Sequence, residues 1–115
     1  MKKFLAVYTG SPAGMTAWNA LSDAEKQQRH SDGAAAWRTW LEVNSASIIE
    51  IGGPLSKTTL VNKDGISDIR NNLSAFAIVR AASQRAAAEL FVNHPHFAIF
   101  PGEGVEIMEI MPIPA

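Results

Sequence analysis

Two of the chain's three histidines, His94 and His96, flank Pro95 near the end of the sequence. Imidazole titrates near neutrality, so either residue could serve as a general base or orient a ligand. The competing role for His94 is structural, because a histidine favours a helix C-terminus through the dipole and the last carbonyls. A metal held by His-Pro-His would need a further ligand, and no histidine, acid or cysteine stands at a recognisable spacing, so no metal is expected. Cysteine is absent, which removes thiolate zinc sites, disulfides and cysteine nucleophiles together.

Other residues could line a site. Tyr8 closes an apolar stretch and could donate a hydrogen bond into a cleft, or sit at its rim. Trp37 and Trp40 could wall an aromatic pocket, although their helical spacing also suits core packing. Asp68 and Arg70 share one face of an extended segment, where they could bind an anionic substrate or form an edge-strand ion pair. His30 and Asp32 are too close in sequence to share a helix face and read as solvated. Gly52-Gly53 and Gly102-Glu103-Gly104 lack the strand-to-helix setting of a phosphate loop and read as turns. No cofactor is expected from any motif.

The elements that must position these groups are legible in part. At 115 residues the chain fits one domain, residues 1–115. Its net charge of −1 lacks the basic excess of a nucleic-acid binder. The apolar run Phe4–Tyr8 is too short for a signal segment, and no run reaches the ~18 apolar residues of a membrane span. The expectation is a soluble, unexported, cytoplasmic protein that binds neither nucleic acid nor membrane. Phe4–Tyr8 is apolar on both alternating faces, as in a central strand. Gly10–Gly14 reads as a loop, followed by one short helical turn through Met15, Trp18 and Leu21. Ser22-Asp23-Ala24-Glu25 has the form of a capping box, so a helix begins at Asp23, with Gly33 a point of interruption. Trp37 and Trp40 mark its buried face, and Asn44-Ser45 closes it.

Short β-rich segments follow at residues 47–51, 58–61, 66–70 and 73–80, with a hairpin turn at Asn62–Gly65. Ser83 caps a second long helix that Pro95 stops. A last strand covers residues 105–111. The order β-α-β-β-α-β describes an α+β, ferredoxin-like fold with one antiparallel sheet and helices on one face. Apolar residues on both faces of the central strands then leave one face uncovered, which implies a homodimer through sheet faces.

Several short stretches resemble the YCII-related proteins, in particular their DGPF-containing branch. They are Lys3–Tyr8, Gly53-Pro54-Leu55, the hairpin running into Leu73–Arg80, His94-Pro95-His96, and Gly104 to Ile113. The resemblance spans nearly the whole chain and implies a dimeric α/β barrel, in which two ferredoxin-like subunits pack through their sheets. Some relatives have been proposed as small-molecule enzymes with a His–Asp pair. The place equivalent to that histidine lies near Ala36–Trp37 here, and Ser67-Asp68-Ile69-Arg70 stands where the DGPF tetrapeptide would be. Two functions remain open. One is cofactor-free proton transfer, isomerisation or elimination on a small organic acid or ring compound, with His94 or His96 as base. The other is a non-catalytic homodimeric binding or accessory module.

Overall fold

The computed structural model describes residues 1–114. Its strands are β1 (Lys2–Thr9), β2 (Ile48–Pro54), β3 (Thr58–Asn62), β4 (Gly65–Ile69), β5 (Leu73–Ala81) and β6 (Gly104–Glu109). Its helices are α1 (Pro12–Asn19), α2 (Asp23–Val43), α3 (Gln84–Glu89) and α4 (Pro95–Ala98), with a 3₁₀ turn at Ser45–Ser47. Four strands form one sheet in the order β2-β5-β1-β6, every neighbour antiparallel. With the β3–β4 hairpin set aside as an insertion, this is the ferredoxin-like arrangement.

Strand β1 lies between β5 and β6, as its two apolar faces require. Phe4, Ala6 and Tyr8 point to the helices and are buried together with Ala77, Val79, Ala81, Ala87 and Phe91. Burying side chains the size of Phe4 or Val79 contributes ~1.5–3 kcal/mol each, so this row of strand residues is the principal hydrophobic support. Leu5, Val7, Phe76 and Ile78 face the other way and are half-buried, and Met108, cross-strand from Leu5, is 44% exposed. No element among the described residues covers that face. The molecule is accordingly a thin slab, 54 × 42 × 18 Å. No described helix is long and apolar enough to cross a membrane.

Four local expectations are corrected. The segment Gly10–Gly14 is not all loop, because Ser11 caps α1 by accepting from the Gly14 N–H and Pro12 takes the first helical position, where its missing N–H costs nothing. Gly33 does not interrupt α2, which runs unbroken from its capping box to Asn44. Gly33 is instead where the Phe100 ring approaches so closely that a methyl group would collide with it. The second helix is not long: α3 ends at Glu89, the chain turns through Asn93 at φ 58°, and α4 begins afresh at Pro95. His94 is therefore not at a helix C-terminus but is the N-cap of α4. Asn tolerates the left-handed conformation better than most residues, which lets the chain reverse there and point Phe91 and His94 into the same space.

Candidate functional site

The turn at Asn93 and the pre-proline backbone of His94 (φ −59°, ψ 141°) drive both histidine rings inward, against the C-terminal half of β1. His94 is fully buried and His96 is 8% exposed. Tyr8 meets both edge-on, with ring centroids 5.1 Å from each. Helix α2 supplies the roof. Trp37 stacks on Tyr8 at 5.3 Å and 15°, and its ring lies 4.6 Å from His94. Trp40 packs 4.6 Å from His94 and 5.0 Å from Phe91, and its indole N–H donates to the Leu90 carbonyl at 2.7 Å, tying α2 to the end of α3. The structure thus brings together Tyr8, Trp37, His94 and His96 from three separate parts of the chain.

Hydrogen bonding assigns the protons. The His96 backbone N–H donates to Nδ1 of His94 at 3.0 Å, so that nitrogen carries a lone pair. A neutral His94 must then hold its hydrogen on Nε2, which faces the Tyr8 hydroxyl oxygen at 3.3 Å and donates to it. Both nitrogens of His94 are committed. His96 differs. Its Nε2 lies 2.7 Å from the Thr9 carbonyl, which can only accept, so Nε2 bears the hydrogen. Nδ1 of His96 is left with a lone pair and makes no hydrogen bond among the described residues, although the Gly104 carbonyl also lies near the ring. Among the described residues no fully buried side-chain nitrogen or oxygen lacks a partner, so this Nδ1 reaches solvent.

Electrostatics reinforce the assignment. Burial disfavours the charged imidazolium and pushes His94 down to about 4, with the neighbouring His96 adding repulsion. His96 is also held below the ordinary histidine range by burial, although the Thr9 and Gly104 carbonyls partly counter this. Burial pushes the Tyr8 phenol up, so it stays protonated. At neutral pH the centre is two neutral imidazoles and a neutral phenol, enclosed by indole and phenyl rings.

Asp68 and Arg70 do not join this group. Asp68 lies on β4 and Arg70 just beyond it, both exposed, beside a hollow of about 600 Å³ that Lys57 and Asn71 also line. They form no ion pair with each other; the two among the described residues are Lys2–Glu109 and Arg85–Glu89. His30 and Asp32 are not paired either: His30 stands edge-on to Trp18 at 5.1 Å, and Asp32 accepts from Gln28. No cluster of three potential metal ligands occurs among the described residues. The sequence passes Phe100 over, since nothing in its local pattern marks its approach to Trp37, and marks Gly102 only as a turn glycine, although it lies against His96.

No protein-family model and no curated protein matches the chain. Among solved structures it is similar to 5-chloro-2-hydroxyhydroquinone dehydrochlorinase (TftG) from Burkholderia phenoliruptrix AC1100, in complex with 2,5-dihydroxybenzoquinone. The superposition covers 95% of this chain and 93% of that one, with a TM-score of 0.56 and 19% sequence identity. At that identity the likeness shows the fold alone: the chain shares the α+β, ferredoxin-like architecture of that protein.

Proposed function

We propose that the protein is a cofactor-free enzyme that transfers a proton on a small organic acid or ring compound, leading to isomerisation or elimination. The observation that carries this reading is the uncommitted Nδ1 of His96 in a neutral, largely dry cluster. There His96 takes a proton from a substrate carbon. The electron pair left behind moves onto a conjugated oxygen of the substrate. Isomerisation follows when the proton returns at another carbon, and elimination when a leaving group departs with its electron pair. His94 is a positioning residue that holds the phenol and cannot itself take a proton without breaking a buried hydrogen bond. Support from comparison comes from the structural neighbour, a dehydrochlorinase in complex with 2,5-dihydroxybenzoquinone. The YCII-related assignment rests on the sequence resemblance, and Asp68 and Arg70 take no part in this site.

The test needs no knowledge of the reaction. Incubated in D2O with 2,5-dihydroxybenzoquinone and a panel of hydroxylated benzoates, the wild-type protein should accelerate exchange of at least one C–H, followed by proton NMR. His96→Asn should slow that exchange about a hundredfold, the lower range of general base catalysis. No acceleration across the panel, or equal rates in the variant, contradicts the proposal.

A second reading, a non-catalytic homodimeric module, is favoured by one observation: Trp37, Trp40 and Phe91 fill the space around His94. Both readings include pairing through the uncovered sheet face, where Leu5, Val7, Phe76, Ile78 and Met108 would meet a second copy. Light scattering at micromolar concentration is expected to give the dimer mass; a monomer would remove that interface.

A further inference from the structure

Beside the histidine cluster lies a hollow of about 490 Å³ between α1, the first half of α2 and the segment from Phe97 to Glu103. Its wall is aromatic, with Trp18 and Phe100 6.4 Å apart and Leu21 adding apolar surface. Its charges are two, Arg29 and Glu103. Neither belongs to an ion pair. Hydrogen bonds with Ser22 hold the Glu25 carboxyl below the usual carboxylate range, and Arg29, one helical turn on, adds a smaller through-space pull without closing a bridge to it. An aromatic cleft offering one free guanidinium and one free carboxylate is complementary to a flat ring that carries an anionic oxygen and, elsewhere, a hydroxyl able to donate.

The hollow is also joined to the histidines. Gly102, in its lining, lies against the His96 ring so closely that no side chain fits between them. The Thr9 carbonyl receives both the Glu103 backbone N–H at 2.8 Å and the His96 Nε2–H at 2.7 Å, so one atom ties the wall of the hollow to the base. Phe100 continues from the hollow to Trp37, the roof over Tyr8, at 6.1 Å.

We propose that this hollow binds a hydroxylated aromatic ring anion, its acidic oxygen on Arg29, its hydroxyl on Glu103 and its face against Trp18 and Phe100. The proposal deepens the reading above: it relies on proton transfer for the ligand's fate but not for its binding.

The probe is 2,5-dihydroxybenzoate, titrated by calorimetry and by quenching of tryptophan fluorescence. Cyclohexanecarboxylate and 2,5-dihydroxybenzamide serve as the non-aromatic and uncharged controls. Saturable binding to the wild type is expected, about tenfold weaker in Arg29→Gln. The amide should bind both proteins alike, because the charge it lacks is the one Arg29 meets. Arg29 is solvent-exposed, so the variant should keep the wild-type melting temperature, which checks its fold. No saturable binding, equal affinity in Arg29→Gln, or equal affinity for cyclohexanecarboxylate would each overturn the proposal. Arg29-dependent binding with unchanged C–H exchange in His96→Asn would leave the hollow assigned and discard the chemistry. His96-dependent exchange of ligands indifferent to Arg29 would do the reverse.

Discussion

Lowering the pH from 6.5 to 4 is expected to remove about 3 kcal/mol of folding stability through His94 alone. The sign follows from proton counts. The unfolded chain takes up a proton on this histidine near its ordinary value of 6.5, whereas the folded protein resists until about 4. Between those values the unfolded state binds more protons, so acid favours it. Above 6.5 both states are neutral and the contribution is complete; below 4 both are charged and it is lost. His96 shifts in the same direction and adds to the effect. Urea denaturation at a series of pH values checks this, with His94→Gln as the control that should flatten the profile across the window. A wild-type midpoint unchanged between pH 6.5 and 4 would mean that His94 is not the neutral, buried ring described above.

Gly102→Ala is the second large effect. The added methyl would collide with the His96 ring and with the His96 backbone carbonyl, which already accepts the Gly102 N–H at 2.9 Å. Backbone cannot turn aside as a side-chain tip can. The chain must move, straining the α4–β6 connection and displacing Nε2 from the Thr9 carbonyl. A loss of about 3 kcal/mol is expected from overpacking together with a weakened buried hydrogen bond. The same substitution at Gly10, where nothing approaches, is the control and should cost little. Equal midpoints for the two variants in chemical denaturation would contradict the close contact.

These effects concentrate on residues that the sequence marks unevenly. Strand β1 was legible because Phe4–Tyr8 is apolar in both registers, and the start of α2 because Ser22 and Glu25 can satisfy each other's orphan donors. The strand set and its ferredoxin-like order followed from short β-rich runs and one strong turn. The end of α3 was misread for an identifiable reason. Pro95 reads as a stop, but proline also suits the first position of a new helix, and Asn93 supplies the left-handed residue that separates the two. The same oversight places the start of α1 too late, because Ser11-Pro12 is a start signal rather than loop composition.

Tyr8, Trp37, His94 and His96 were singled out as separate candidates, but their meeting could not be read from one chain. Tyr8 and His94 stand 86 residues apart, and no local pattern encodes a contact at that separation. Nor could the sequence separate the roles of the two histidines. Each has the same composition and the same proline neighbour. What divides them is a backbone N–H that occupies Nδ1 of His94 and a carbonyl that takes only Nε2–H of His96. Asp68 and Arg70 show the converse limit: alternation along a strand places two side chains on one face but does not say whether that face belongs to the sheet that carries the site.

The account turns on which imidazole nitrogens carry hydrogen, and long-range ¹H–¹⁵N NMR of the histidine rings measures this directly. At pH 7 both His94 and His96 should appear as neutral rings protonated on Nε2, with His94 unprotonated on Nδ1 down to about pH 4. His96 should titrate below free imidazole, leaving its Nδ1 available as a base throughout the neutral range. Hydrogen on Nδ1 of His96, or either ring charged at pH 7, would contradict the assignment and remove the base on which the proposed chemistry depends.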